Sequence, residues 1–202
     1  MKFIIATNNP KKLVEMERIL LPLGITAVTA KQEGVSLDDV EENGSTFMEN
    51  SFIKAEAACK KTGLPAIADD SGICVDALDG APGIFSARFA GEEATDVDKN
   101  NLILEKLKDV EKENRGAHYT CAITCVFPDG DVIQTEGKCF GEIARESIGN
   151  GGFGYDPIFL YDGVSFGLVS AEEKDKVSHR GIALRSFRDK LIKYLEDNNV
   201  KQ

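Results

Sequence analysis

The clearest constraint on the fold is a single hairpin. In "HYTCAITCVF", Tyr119, Cys121, Ile123, Cys125 and Phe127 alternate with less apolar neighbours. That is the period-two pattern of a strand with a buried face. "PDGD", Pro128–Asp131, is turn chemistry, and "VIQTEGKCFGEI" reads as the returning strand. The chain must therefore contain a β-sheet, and the remaining segments decide what packs on it.

"KFIIA" reads as a first buried strand, and "TNNP" as the turn leaving it. Asn9 is a good N-cap and Pro10 suits a first helical turn. Leu13, Met16, Leu20 and Leu23 then form a helical apolar stripe that ends at Gly24. A strand, a polar turn and a helix N-terminus leave backbone N–H groups pointing into the turn, where anions bind well.

Residues 31 to 44 are polar and acidic and read as a loop. "STFMENSFIKAEAACKKTG" is a capped helix closing on Gly63. It should carry Phe47, Met48, Phe52, Ala55 and Cys59 on one side, with Asn50 and Lys54 on another. "PAIAD" and "GICVD" read as two short strands flanking an Asp-Asp-Ser-Gly turn. A charged helix is expected over roughly 96 to 113, a loop at "NGGFGYDP", and a final helix from about Arg180 to Glu196. That last helix spaces Ala183, Phe187, Leu191 and Tyr194 near-helically, with Ser178 as its cap. The 202 residues hold no repeat, low-complexity tract or linker. The expectation is one mixed α/β domain over 1–202.

Charge and composition narrow the function. The net charge of −10 argues against long DNA or RNA as a partner, because polyanion binders carry a basic face. A small anionic substrate would need local cations, or a divalent metal held by carboxylates. Of the five cysteines (Cys59, Cys74, Cys121, Cys125 and Cys139) none forms a C-x-x-C pair, and only two histidines are present, so buried reduced thiols are expected. No apolar run reaches bilayer length, and "MKFIIATNNP" lacks a signal-peptide core, so a cytoplasmic location is expected.

Several motifs bear chemistry. Asp69 and Asp70 in "ADDSG" share a site only if the strand ends or bends there, because neighbours on a strand point to opposite faces. Paired carboxylates suit a hard cation such as Mg²⁺, or one of them could take a proton from water. An ordinary turn explains the same residues equally simply. Glu41 and Glu42 precede Asn43-Gly44, and Lys54 lies on the following helix; each alone reads as a solvated charge. The glycines of "GGFGYDP" let backbone approach a ligand closely and leave an aromatic free to stack. "SHRG" sets a histidine and a guanidinium at a helix N-terminus, against the helix dipole.

Taken together and in order, these stretches resemble the inosine triphosphate pyrophosphatase family, the Ham1-like enzymes. The matching segments are "ATNNPKK", "EENGSTFMENSFIKA", "AIADDSGICVDALDGAPGIFSARFAG", "GGFGYDPIF" and "EEKDKVSHRGIAL", spread over almost the whole chain. The resemblance implies an elongated mixed β-sheet flanked by helices, with two lobes and a central cleft. It implies hydrolysis of non-standard purine nucleoside triphosphates between the α and β phosphates, with Mg²⁺, by a homodimer. By the same resemblance Thr7, Asn8, Asn9, Pro10, Lys11 and Lys12 would hold the phosphates, supported by Lys54. Glu42 and Asp69 would bind the metal, Asp70 would be the base, and Ser71 would contact substrate. Phe153, Gly154, Tyr155, Asp156, Lys174, His179 and Arg180 would form the base pocket. Asn8 and Lys11 depart from the family's first motif, which commonly has glycine at both places. The rival expectations are a Maf-type nucleotide pyrophosphatase, against which "FGYDP" with "SHRG" argues, and a non-catalytic nucleotide sensor.

Overall fold

The computed structural model describes residues 1–7 and 9–198. Seven strands form one sheet in the order β2-β1-β3-β4-β5-β6-β7: β1 Lys2–Ile5, β2 Thr26–Thr29, β3 Ala66–Val75, β4 Gly116–Val126, β5 Val132–Ile143, β6 Phe159–Tyr161 and β7 Val164–Ser165. The helices are α1 Pro10–Leu20, α2 Phe47–Thr62, α3 Asp96–Lys106, α4 Ala171–Val177 and α5 His179–Asp197. β1 pairs in parallel with β2 and β3, whereas β5, β6 and β7 pair antiparallel. The expected α/β class holds. No described helix is long and apolar enough to cross a membrane.

The chain divides into two compact units, one of residues 1–70, 121–136 and 183–202, the other of 71–120 and 137–182. In the first, β1 is apolar on both faces, as a central parallel strand must be. Phe3 and Ile5 join a cluster with Met16 and Leu20 of α1 and with Ala183, Phe187 and Leu191 of α5. Ile4 and Ala6 point the other way, to Ala55, Ala58 and Cys59 of α2. β3 repeats this alternation, with Ile67 on the α1 side and Ala66 and Ala68 on the α2 side. Met16 and Leu20 are fully buried, and each such side chain contributes about 1.5–3 kcal/mol. The second unit has its own core, built on Ile73, Val75, Tyr119, Ile158, Phe159 and Phe166 with Ile103 of α3 and Leu107 at its end.

Four sequence expectations change. β3 is one strand through Asp69-Asp70-Ser71-Gly72, not two strands about a turn. Gly72 is there for close approach: a Cβ would collide with the Ser86 side chain and the Gly83 carbonyl. The charged helix stops at Lys106, and Lys112–Asn114 is a separate 3₁₀ turn. α4 was not foreseen, although Ser170 and Glu173 form a capping box at its start. The buried face of α2 is centred on Asn50, Ser51, Ala55, Ala58 and Cys59, with Phe47 and Met48 only partly covered. Ser51 shares a 2.7 Å hydrogen bond with Thr124 of β4, so polar side chains take part in this packing. None of the five cysteines is in a disulfide, and four of them are buried.

Candidate active site

The first group of candidate side chains lies at the carboxyl end of β1, where ligands of parallel α/β sheets bind. The chain leaves β1 at Thr7, whose Oγ1 accepts the Asn9 N–H at 3.1 Å, and Asn9 Oδ1 accepts the Lys12 N–H at 3.4 Å. The turn is thus shaped by its own polar side chains, with the first α1 amides beside it. Asn8, and the side chains of Pro10 and Lys11, lie outside the described residues.

Strand alternation places the two aspartates. Asp69 continues the Ile67 side and meets α1: Lys12 Nζ lies 3.0 Å from its Oδ2, and the Cys121 thiol is 4.0 Å from the same oxygen. Asp70 continues the Ala68 side and meets α2: Lys54 Nζ is 3.2 Å from Oδ1, and Asn50 Nδ2 donates to Oδ2 at 3.3 Å. Lys54 also donates to Glu42 Oε2 at 2.9 Å. The strand is unbroken at the aspartates, so the expected bend is absent and alternation sends them to opposite sides: each carboxylate has its own lysine from its own helical layer. Glu42, not Glu41, is the loop acid engaged with Lys54.

The electrostatics follow from burial. Desolvation pushes the Asp70 carboxyl above the ordinary aspartate range, and nearby Glu42 adds to this, while Lys54 and Lys12 oppose it. Burial alone would lower the Lys54 ammonium, but Asp70, Asp69 and Glu42 more than offset that and raise it. Lys54 is thus held as a cation beside a carboxyl group whose affinity for a proton is raised by burial.

The second group is in the other unit. Asp156, 1% exposed, accepts from Lys174 Nζ at 2.6 Å and from the Phe153 N–H at 2.8 Å, and Tyr119 OH approaches its Oδ1 at 3.4 Å. Gly152 is fixed by this arrangement: its φ is 71°, and a Cβ would strike the Asp156 carboxylate. Phe153 is half-buried, with Lys174 Nζ 4.6 Å and Arg180 Cζ 5.7 Å from its ring centroid. Arg180 Nη2 donates to Ser71 Oγ at 2.9 Å. His179 stacks on Tyr119 at 4.5 Å and 8°, and Ser178 caps this helix start by accepting the Gly181 N–H. Burial, with the Asp156 charge adding to it, pushes the Tyr119 hydroxyl far above its usual range, so it stays a neutral donor.

The expected base-pocket residues thus fall together, with one change of role. Tyr155 turns into the core, its hydroxyl donating to the Ser86 carbonyl at 2.7 Å, so its ring supports the loop from within. Sequence reasoning missed Asn50 and Tyr119 as partners of Asp70, Asp156 and His179. Asn50 carried a signal, standing one turn before Lys54. Tyr119 carried none, since its partners lie far away in sequence. Among the described residues, no three His, Cys, Asp or Glu side chains gather to cage a metal.

An acid-and-lysine group beside the end of β1, and in the second unit Phe153 set against Lys174 and Arg180, make the chain a candidate for the class of nucleotide-handling α/β enzymes. The comparisons give the family. The Ham1 family profile matches residues 3–190. A dITP/XTP pyrophosphatase of Streptomyces coelicolor (strain ATCC BAA-471 / A3(2) / M145) is 44% identical over 189 residues, covering 92% of this chain and 94% of that one. One from Escherichia coli O157:H7 is 45% identical over 194 residues, covering 94% and 98%. The solved structure of a HAM1 protein from Coxiella burnetii superposes with a TM-score of 0.88 at 40% identity, covering 96% and 99%. The chain belongs to the Ham1 family.

Proposed function

We propose that this protein hydrolyses non-standard purine nucleoside triphosphates, those of inosine and xanthosine in ribose or deoxyribose form, to monophosphate and pyrophosphate. The observation that carries the proposal is the pairing of Asp69 with Lys12 and of Asp70 with Lys54 at the end of β1. Relatives of 44–45% identity bearing the name dITP/XTP pyrophosphatase support it.

Glu42 and Asp69 offer oxygen donors only, which fits a hard divalent cation such as Mg²⁺ that keeps waters and shares substrate phosphates rather than a full protein cage. When bound, such a cation supplies charge neutralisation to the polyphosphate. The side chains of Lys12, at the start of α1, and Lys54 bind and orient the phosphates. Asp70 accepts a proton from the water that attacks the α-phosphorus in line, and Lys54 holds that carboxylate in place through Oδ1. No side chain needs to form a covalent bond to phosphorus. Phe153 stacks on the purine, and Arg180 with Lys174 supplies donors to its 6-carbonyl edge. We further propose a homodimer working in the cytoplasm, which light scattering would report at about twice 22.0 kDa.

The test is incubation with inosine triphosphate and Mg²⁺ followed by separate assays of pyrophosphate and orthophosphate. Stoichiometric pyrophosphate supports the proposal. Orthophosphate instead, or binding without turnover, would refute it.

A further inference from the structure

We infer that α3 is the positioning element of the Phe153–Asp156 loop, and that Asp96 and Asn100 set base selectivity by fixing Gly154, given that this loop is the base-binding wall proposed above. Both backbone groups of Gly154 are held by side chains of one helix. Its N–H donates to Asp96 Oδ2 at 2.7 Å, and its carbonyl accepts from Asn100 Nδ2 at 3.1 Å. Asp96 and Asn100 stand four apart, so they share a face of α3.

The residue types are informative. Asn100 is 3% exposed, and its Oδ1 is buried without a hydrogen-bond partner. A buried amide costs stability unless it is bonded, and an apolar residue would pack there without that cost. The side chain is therefore kept for its donor, which ends on Gly154. The other oxygen of Asp96 is pinned by Lys99 at 2.7 Å, which holds the carboxylate in the orientation that receives the Gly154 N–H.

The loop needs such fixing. Gly154 has a φ of 62°, with nothing within 4 Å of where a Cβ would lie, so packing does not hold it. Glycine loses more conformational freedom on ordering than any other residue. Immediately before it is Phe153, whose ring faces Lys174 and Arg180. If the Gly154 peptide is loose, the Phe153 platform shifts against those donors. Displacements of about 1 Å cost large factors where recognition depends on placed hydrogen bonds.

The experiment compares Asn100→Leu, Asp96→Ala and the conservative Asp96→Asn, which retains an acceptor for the Gly154 N–H. Amide exchange is followed over residues 150–157, and kcat and KM are measured for inosine and adenosine triphosphates. Loss of one such hydrogen bond corresponds to about a tenfold change in an equilibrium. Asn100→Leu and Asp96→Ala should speed exchange at Gly154 about tenfold. They should raise KM for inosine triphosphate by a similar factor with kcat nearly unchanged, and should narrow the inosine-to-adenosine ratio. Asp96→Asn should recover most of this relative to Asp96→Ala. Variants with lowered melting temperature but wild-type exchange, KM and ratio would make α3 merely structural and overturn the inference. If the wild type itself fails to split inosine triphosphate, the functional proposal and the selectivity claim fall together. Exchange alone then decides whether α3 clamps the loop.

Discussion

Replacing Asp70 by asparagine should separate catalysis from stability. The carboxylate accepts from two donors, Lys54 Nζ and Asn50 Nδ2. Asn50 cannot turn its oxygen to the site, because that atom already accepts the Gly44 N–H at 2.8 Å. An amide at position 70 therefore presents its own NH₂ to a donor, a mismatch that costs about 1–3 kcal/mol. Against this stands the desolvation of the charge, which lifts the carboxyl above its unfolded value. A raised folded pKa gives stability that is complete below the unfolded value of about 3.9 and is lost as pH rises through the folded one. At neutral pH the ionised wild type is thus the strained form. Protonated Asp70 meets the same two donors as asparagine would, so the mismatch cancels in the comparison at low pH. Metal-free Asp70→Asn should accordingly melt at or above the wild-type temperature at pH 7, and the two should converge towards pH 4. Turnover should fall at least about a hundredfold, the scale of a lost general base. Calorimetry in chelator and a pyrophosphate assay with Mg²⁺ measure the two effects. A neutral-pH melting point more than about 4 °C below wild type, over 1 kcal/mol for a chain of this size, would refute the electrostatic argument. Near-normal turnover would remove Asp70 as the base.

Three further outcomes are expected. Asp156→Ala should cost about 3–5 kcal/mol by leaving Lys174 buried without its carboxylate, read as a lower urea midpoint, while Asp156→Leu with Lys174→Met should recover most of that loss. Arg180→Ala should reduce kcat/KM for inosine triphosphate far more than for adenosine triphosphate, because a buried donor left facing an amino group is what rejects adenine; an unchanged ratio would show that Arg180 does not read the base. Exhaustive chelation should abolish turnover, Mg²⁺ should restore it, and Ca²⁺, with its looser and longer coordination, should not; full activity in chelator would exclude a metal requirement.

Much of the fold could be read from periodicity. The hairpin, α1 with its stripe, and α2 between Thr46 and Gly63 follow from local pattern and caps. β3 was misread because Asp-Asp-Ser-Gly is turn chemistry locally. In the fold, Lys12 and Lys54 make buried carboxylates tolerable within a strand, and Gly72 answers a neighbour fourteen residues on. The partners of the site residues were less legible for the same reason. Asp156 is held by Tyr119 and Lys174, and Gly154 by Asp96 and Asn100, through contacts that no local pattern encodes. Asn50 illustrates the boundary. Its spacing from Lys54 was visible, but not that it lies on the buried face of α2.

The division of Asp69 and Asp70 between the two sides of β3 bears on protein engineering. A catalytic loop can be grafted as a segment, because its residues bring their own geometry. This acidic pair cannot be moved that way. Its members are told apart only by the register of the strand and by which helical layer each one meets. Deleting one residue upstream in β3 would exchange them, offering Asp70 to Lys12 and turning the other carboxylate position towards Lys54. Any scaffold meant to receive the pair must therefore supply both layers, each with its own lysine. In this family's architecture the unit of transplantation is a three-layer sandwich.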